Sequence, residues 1–236
     1  MSNLYLISTP IGNLEDLSLR AIKTIAMSEV ILCEDTRRTG KLIEYINNDT
    51  DYTAHPRLVR FDDNLENRNL DKFISIIKEN KNVCLVSDSG TPIISDPGFK
   101  LVRELIKQHS DIVITTIPGA SAINSSLLLS GFEPDSFMFV GFLPRKDSKR
   151  SALFNECKQI DNIKKTTFIS YESPYRIIRS VLVLEKEFGD NVEVVVAREL
   201  TKMYEEVVRG TPSKVIKELK TPKGEITMLF RFRNED

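Results

Sequence analysis

Residues 83–98 read VCLVSDSGTPIISDPG, a short apolar run followed by a long loop. The run Val83–Val86 is continuously apolar, as expected for a parallel strand that helices cover on both faces. The loop from Ser87 to Gly98 holds two aspartates, two glycines and two prolines. Ligands of open α/β sheets bind beyond the C-terminal ends of the strands, so a loop this long and this constrained predicts a binding site. For Asp96 alone, the alternative role is to cap the helix that follows Pro97.

Short apolar runs and helical patterns alternate throughout the first half of the chain. We predict strands at residues 4–7, 30–33, 58–61 and 112–116, and helices at residues 17–27, 39–46, 65–77 and 98–108. Asp16 is the predicted N-cap of the first helix. This βαβ periodicity predicts a mostly parallel, doubly wound sheet over residues 1–117.

The pattern changes after Ile117-Pro118-Gly119. We predict strands at residues 138–142, 167–171, 192–197, 204–209 and 226–232, and helices at residues 149–158 and 175–188. The close spacing of the strands after Val192 indicates antiparallel pairing. The sequence therefore predicts two α/β domains, residues 1–117 with a parallel sheet and residues 118–236 with a mixed sheet.

Composition limits the classes of function. The 33 basic and 34 acidic side chains nearly cancel, so any contact with a nucleic acid must be local. Three widely spaced cysteines, of which Cys33 and Cys84 lie in apolar runs, favour a reducing compartment. With His55 and His109 the only histidines, and no zinc-ligand spacing, we expect no metal. The N-terminal segment lacks the features of a signal peptide or membrane span, so we expect a cytoplasmic protein without a membrane partner.

A second loop, Ser8–Leu14, follows the first predicted strand. Pro10 and Gly12 set a turn that lets a ligand approach the backbone closely, although an ordinary strand-to-helix turn has the same composition. The loop is neither a G-x-G-x-x-G fingerprint nor a P-loop. Asp88, at the end of the buried strand, also permits a phosphoryl-transfer interpretation, but the carboxylates and the lysine needed for Mg²⁺ and phosphate are not assignable.

Two charged segments have both a functional and a structural interpretation. Glu34–Thr39 offers adjacent carboxylates and two arginines, suited either to capping a helix or to placing Arg37 or Arg38 on a phosphate. The segment after the strand ending at Phe142 concentrates four cations, Arg145, Lys146, Lys149 and Arg150. Such a cluster either anchors an RNA backbone or forms a solvated face.

Seven motifs, taken in order, resemble the tetrapyrrole methylase superfamily, and within it the branch that methylates a cytidine ribose in the decoding region of 16S rRNA. They are residues 8–14 (STPIGNL), 34–37 (EDTR), 86–92 (VSDSGTP), 118–122 (PGASA), 141–144 (GFLP), 171–174 (YESP) and 198–202 (RELTK). The resemblance covers nearly the whole chain. This superfamily does not use the G-x-G-x-x-G fingerprint to bind its cofactor, which agrees with the absence of that fingerprint here.

The resemblance implies S-adenosyl-L-methionine as cofactor, 16S rRNA or the 30S subunit as partner, and a homodimer. It also implies a kidney-shaped pair of α/β domains with the cofactor folded into the cleft between them. The implied cofactor contacts are Pro10, Asp88, Gly90, Thr91, Ser121, Ala122, Tyr171, Ala197, Gly224 and Glu225. The predicted RNA phosphate contacts are Arg37, Arg145, Lys146, Lys149 and Arg150.

A ribose 2′-hydroxyl is a poor nucleophile at neutral pH, so a nearby carboxylate or lysine is expected to accept or steer its proton. The candidates are Glu172, Glu199, Lys202 and Asp35. Each has a structural alternative, because acid–base pairs beside strand ends are often salt bridges.

Two departures from the family and three rival functions complete the expectations. Residues 61–66 read FDDNLE where family members often carry a His, and the chain stops at Asp236 where many members continue into a small helical domain. We therefore expect some RNA contacts of the family to be either missing here or supplied by the dimer partner. The rivals are a methyltransferase acting on a tetrapyrrole, a non-catalytic ribosome-binding module, and the phosphotransferase that Asp88 permits.

Overall fold

The computed structural model describes residues 2–219 and 223–233 of the chain. The chain divides into two compact units, Met1–Ser121 and Ala122–Asp236. The predicted domain boundary after residue 117 stays a prediction. The first and last residues of the two predicted domains, Met1 and Asp236, lie outside the described residues. Each unit is described by itself.

The first unit is built on a five-stranded parallel sheet. Its strands are β1 (Ser2–Ile7), β2 (Val30–Cys33), β3 (Arg57–Arg60), β4 (Asn82–Val86) and β5 (Ile112–Ile117). Their order across the sheet is β3-β2-β4-β1-β5, and every neighbouring pair is parallel. The predicted parallel, doubly wound sheet is confirmed, with β4 in its centre.

Helices cover both faces of this sheet. They are α1 (Leu19–Ala26), α2 (Thr36–Asp49), α3 (Asp63–Arg68), α4 (Leu70–Glu79) and α5 (Phe99–Gln108). Alternate residues of β2 enter different cores: Val30 and Leu32 pack in one, Ile31 and Cys33 in the other. A strand buried on both faces therefore has an unbroken apolar sequence. The single helix predicted over residues 65–77 is instead two helices, which meet at Asn69.

Two predicted helix caps in the first unit were wrong. Ser18, not Asp16, caps α1 by accepting a hydrogen bond from the Ala21 N–H, and Asp16 ends the short 3-10 turn Leu14–Asp16. The N-cap position of α5 belongs to Gly98, whose φ of 125° excludes most other residues, and not to Asp96.

The second unit contains a mixed five-stranded sheet. Its strands are β6 (Phe137–Phe142), β7 (Thr167–Glu172), β8 (Val192–Arg198), β9 (Glu206–Gly210) and β10 (Ile226–Phe232). Their order is β6-β7-β10-β8-β9, in which β6 and β7 are parallel and the other pairs are antiparallel. The predicted mixed sheet and the antiparallel pairing after Val192 are confirmed.

The second unit has a helical layer on each face of its sheet. Its helices are α6 (Ala122–Ser130), α7 (Asp147–Ile163), α8 (Ile177–Phe188) and α9 (Pro212–Glu218). Leu229 packs with α6 on one face, while Phe230 on the other face packs with Phe154 of α7. Neither α6 nor α9 was predicted. Serines interrupt the apolar positions of α6, and α9 spans only seven residues, so neither shows a helical period.

Among the helices of the described part, none is long and apolar enough to cross a membrane.

Candidate active site

Two loops at the C-terminal edge of the first unit's sheet are joined to each other. Thr9, after β1, and Gly90, after β4, form an antiparallel bridge in which the Thr9 N–H donates to the Gly90 carbonyl over 2.8 Å and the Gly90 N–H returns a bond over 3.2 Å. The Ser8 and Thr91 hydroxyls lie 3.1 Å apart. The two loops predicted to bind a ligand are therefore one connected structure, held at the edge where open α/β sheets bind ligands.

A third segment, residues 118–121, joins the same edge after β5. The Thr91 hydroxyl donates to the Ala120 carbonyl over 3.3 Å, and a Cβ placed on Gly119 would stand 3.0 Å from the Cβ of Ser8. Gly90 has a φ of 83°, which favours glycine, and a Cβ there would press on Ile11 at 3.2 Å. Four of the predicted cofactor contacts, Pro10, Asp88, Gly90 and Thr91, lie in the two joined loops.

Asp88 links the ends of two neighbouring strands of this sheet. Its carboxylate accepts a bond from the Asp35 N–H over 3.1 Å and lies 3.5 Å from the Arg38 guanidinium, while its own N–H donates to Glu34 over 3.3 Å. Within the described ranges, no group of three or more His, Cys, Asp or Glu side chains suits a metal ion. The phosphoryl-transfer interpretation of Asp88 stays a prediction.

Asp96 is a carboxyl group at this edge whose pKa lies far from its ordinary value. Burial raises the pKa of Asp96 to about 7, and the negative charges of Glu34, Asp88 and Asp63 act in the same direction, against a hydrogen bond from Ser87. Burial likewise raises the pKa of Glu34, again with Asp88 and Asp63 contributing. The sequence indicated only a capping role for Asp96. No local sequence pattern indicates this proximity, because Glu34 and Asp88 follow strands whose adjacency only the fold establishes.

Asp35, a candidate catalytic residue, caps α2 and binds Arg37. Its Oδ1 accepts bonds from the Arg37 N–H over 2.9 Å and from Arg37 Nε over 3.0 Å, and its Oδ2 lies 2.7 Å from Arg37 Nη2. These hydrogen bonds lower the pKa of Asp35, so it is a weak proton acceptor. Arg37, a predicted phosphate contact, is exposed but carries this acidic partner.

The structure contradicts a catalytic role for Glu172, at the end of β7. Its side chain is buried and accepts bonds from Ser173 N over 2.6 Å, from Arg176 Nε over 3.0 Å and Nη2 over 2.7 Å, and from the Ser180 hydroxyl. A carboxylate that is buried and already accepts bonds from four donors is not accessible to a substrate proton. Glu172 therefore fixes the loop that joins β7 to α8.

Glu199 and Lys202, two further catalytic candidates, form a three-residue network with Glu225. Lys202 Nζ lies 3.0 Å from both carboxylates, and Glu199 also accepts a bond from the Glu225 N–H over 2.9 Å. Although partial burial opposes both shifts, these bonds lower the pKa of Glu199 and raise the pKa of Lys202. Gly224 has a φ of 89°, and a Cβ there would collide with the Glu199 carboxyl group. The network thus holds the predicted cofactor turn Gly224–Glu225 in place.

Two more predicted cofactor contacts of the second unit lie on adjacent strands of its sheet. Thr227 of β10 is paired with Tyr171 of β7 on one side and with Ala197 of β8 on the other. The Tyr171 ring contacts Phe139 and Phe142, with centroid distances of 4.9 and 5.4 Å. Tyr171, Thr227 and Ala197 therefore form one row across three strands, and the strand register alone brings them together.

One of the four residues in the predicted cationic cluster is buried. Arg145, Lys146 and Lys149 are exposed. Arg150, by contrast, is 1% exposed, binds Asp147 over 3.0 Å and lies 4.0 Å from Glu172. A guanidinium at this depth does not reach an RNA phosphate, so the prediction for Arg150 was wrong.

Comparison with known proteins identifies the family. The model of the tetrapyrrole (corrin/porphyrin) methylases matches residues 3–216. A protein of Rickettsia prowazekii named ribosomal RNA small subunit methyltransferase I is 40% identical over 231 residues, 97% of this chain and 78% of that protein. A protein of the same name from Thermotoga maritima is 38% identical and covers 98% of both chains.

Solved structures of low sequence identity share the fold. A crystal structure of diphthine synthase superimposes with a TM-score of 0.71 at 15% identity, covering 98% of this chain and 89% of that one. Uroporphyrin-III-C-methyltransferase from Thermus thermophilus gives a TM-score of 0.63 at 17% identity, covering 99% and 95%. The family match over residues 3–216, together with the relatives at 38–40% identity, shows that the chain belongs to the tetrapyrrole (corrin/porphyrin) methylase family.

Proposed function

We propose that this chain transfers a methyl group from S-adenosyl-L-methionine to the ribose 2′-hydroxyl of a cytidine in 16S rRNA, and that the nucleotide is cytidine 1402. The observation that carries the proposal is 38–41% identity over 92% or more of the chain to proteins named ribosomal RNA small subunit methyltransferase I. Two solved structures of tetrapyrrole-methylating enzymes, uroporphyrin-III-C-methyltransferase and cobalt precorrin-4 methyltransferase, are 17% and 15% identical to this chain and support the fold alone.

The edge of the first unit suits such a cofactor. S-adenosyl-L-methionine carries a sulfonium cation and supplies a methyl group that is already activated for transfer. The carboxylates of Asp88 and Glu34 provide negative charge at this edge. Gly90 lies beside them, and because it has no side chain, a ligand can approach its backbone closely. We propose Pro10, Asp88, Gly90, Thr91 and Ser121 as contacts from this unit. Ala122, Tyr171, Ala197, Gly224 and Glu225 remain proposed contacts from the second.

Positioning of the nucleophile is the main contribution of the protein to the reaction. Glu199 and Asp35 are weak proton acceptors because hydrogen bonds lower the pKa of each, in Glu199 against the effect of partial burial. Lys202 stays protonated, because its two carboxylate partners raise its pKa despite its partial burial. In this proposal Lys202 and Glu199 hold the turn Gly224–Glu225 in place and do not accept the 2′-hydroxyl proton. Alignment of the oxygen with the methyl–sulfur bond then provides most of the acceleration.

Methyl transfer to 30S subunits tests the proposal. Subunits from a strain that lacks this methylation are incubated with tritiated S-adenosyl-L-methionine, and the nucleosides are identified by mass spectrometry. We expect labelled 2′-O-methylcytidine, and no label on subunits that are already methylated. Label on a base atom, or no label at all, would overturn the 2′-O assignment.

A matched pair of glycine variants tests the cofactor site itself. Gly90 and Gly131 have similar φ angles, 83° and 77°, but only Gly90 lies in the proposed cofactor loops. We expect Gly90→Ala to weaken S-adenosyl-L-methionine binding more than about tenfold by calorimetry, and Gly131→Ala to leave it unchanged. Wild-type protein that does not bind the cofactor would favour a non-catalytic ribosome-binding module.

Self-association, location and metal independence are part of the proposal. We propose a cytoplasmic homodimer that uses no metal, and sedimentation of the purified chain at several concentrations measures the oligomeric state. Arg37, Arg145, Lys146 and Lys149 are the proposed RNA phosphate contacts, now without Arg150.

A further inference from the structure

We propose that Tyr175 stacks on an unpaired base of the RNA substrate, while Arg145, Lys146 and Lys149 bind the phosphates beside it. This inference rests on the proposed function for the class of its ligand. It adds a specific nucleobase-binding residue and predicts that the recognised RNA is locally single-stranded.

The exposure of Tyr175 is the first observation. The residue is 95% exposed, although the ring of a tyrosine is usually at least partly buried. It lies between β7 and α8, on the edge of the second unit's sheet where β6 also ends. Phe142, the last residue of β6, is 58% exposed. Exposed aromatic rings at the end of a sheet are suited to stacking on bases.

The loop that carries Tyr175 is rigid. The Tyr175 N–H donates to the Ser173 hydroxyl over 3.3 Å, and the Ser173 carbonyl accepts from the N–H groups of Arg176 and Ile177 over 2.9 and 3.0 Å. Glu172 accepts from Ser173 N and from the Arg176 guanidinium. The backbone on both sides of Tyr175 is thus fixed before any ligand binds. Only the side chain of Tyr175, and not its backbone, then has to be ordered when the ring stacks on a base.

The charge beside Tyr175 favours a polyanion. Asp147, at the start of α7, binds Arg179 of α8 over 2.7 Å, and Arg150 lies 4.0 Å from Glu172, so the segment carrying the cations adjoins the Tyr175 loop. Those contacts engage the carboxylates of Asp147 and Glu172.

The three remaining cations of that segment, Arg145, Lys146 and Lys149, are exposed and form no ion pair with any residue in the described part of the chain. In a chain with a formal net charge of −1, this is a local excess of positive charge. RNA provides both partners that the surface lacks, since phosphates pair with the cations and an unpaired base covers the ring.

The absence of tryptophan from the chain allows a direct test. In Tyr175→Trp the indole keeps a stacking surface and becomes the only tryptophan, whose fluorescence a stacked base quenches. Phe137→Trp is the matched control. Phe137 is the first residue of β6 and lies at the other end of that strand, about 16 Å from Phe142. Each variant is titrated with a single-stranded 16S rRNA fragment containing the proposed target and with inorganic polyphosphate, which carries charge but no bases.

We expect the rRNA fragment to quench Tyr175→Trp and not Phe137→Trp, and polyphosphate to quench neither. The inference is overturned if the fragment binds, by fluorescence anisotropy, without quenching Tyr175→Trp, or if polyphosphate quenches it equally. Quenching by intact 30S subunits but not by RNA would also overturn it, because Tyr175 would then contact a ribosomal protein.

Kinetics provide the second arm. Loss of one base–aromatic stack predicts that Tyr175→Ala raises the KM for the RNA substrate roughly 5- to 100-fold, with kcat and the Kd of S-adenosyl-L-methionine unchanged, while Tyr175→Phe stays close to wild type. An unchanged RNA KM overturns the inference, and so does a change of oligomeric state in Tyr175→Ala. If the wild-type chain binds RNA but methylates none, the proposed function fails while the quenching result still decides the role of Tyr175.

Discussion

Carboxylates of the first unit repel one another, whereas buried carboxylates of the second are surrounded by cations. Glu34 and Asp88 lie near Asp96, with Arg38 3.5 Å from Asp88, and the pKa of Asp96 rises to about 7 through burial and these charges. In the second unit, Glu172 binds Arg176, and Asp161 binds Lys165 over 2.9 Å. Repelling carboxylates cost stability and cluster at functional sites, while paired ones hold structure in place. The comparison favours a functional role for the carboxylates of the first unit and a structural role for the paired carboxylates of the second.

Removal of Glu172 tests the rigid half of this comparison and has the largest expected effect. Glu172→Ala removes the ion-pair partner of Arg176 and the acceptor of the Ser173 N–H, and it leaves the buried Arg150 with Asp147 alone, which predicts a loss of about 3–5 kcal/mol in the free energy of unfolding. Urea denaturation measures it, with Glu172→Gln as the milder variant if the alanine variant does not fold. Glu156→Ala, which removes an exposed carboxylate from α7, is the control and should change little. A loss below about 1 kcal/mol would contradict the buried network.

The turn held by Glu199 and Lys202 gives the next largest effect. In Gly224→Ala the new Cβ has an unfavourable φ and collides with Glu199, so we expect a loss of about 2–3 kcal/mol and weaker cofactor binding. Gly131→Ala has nearly the same φ without a neighbour within 4 Å, and should cost only about 1 kcal/mol. Equal losses in the two variants would show that the Glu199 contact does not shape the turn.

Local sequence pattern was sufficient for the sheets but not for the residue roles at their edges. Both strand sets follow from apolar runs and spacing, because burial on two faces leaves a direct mark on sequence. Arg150 and Glu172 were misassigned because the burial of a charged side chain leaves no such mark on sequence. A charged residue reads the same in sequence whether it faces water or a buried partner, and only the packing of α7 against β7 and α8 decides which.

The proximity of Asp96 to Glu34 was likewise invisible in sequence. The two residues are 62 positions apart, and they approach each other because β2 and β4 are adjacent in the sheet. A βαβ pattern predicts that strands are parallel but leaves their order open. The raised pKa of Asp96 therefore depends on strand order, which the motifs alone did not supply.

Asp96→Asn tests the repelling half of the comparison through its pH dependence. The folded-state pKa of about 7 is above the ordinary value of 3.8, so folding favours the protonated carboxyl group. Below about pH 4 both states are protonated and Asp96 costs nothing, between about pH 4 and 7 stability falls as pH rises, and above pH 7 the cost is constant. Because Asp96 is partly solvated, screening reduces the cost to roughly 1 kcal/mol.

Asparagine removes the charge, so the free energy of unfolding of Asp96→Asn should exceed that of wild type by roughly 1 kcal/mol at about pH 8 and by almost nothing near pH 4. Urea denaturation across that range measures the difference. Asp111→Asn, which changes an exposed carboxyl group of the same unit, should show no such trend. A constant difference at every pH would mean that neither burial nor the charges of Glu34 and Asp88 raise the pKa of Asp96, and the distinction between the two units would then rest on the second unit alone.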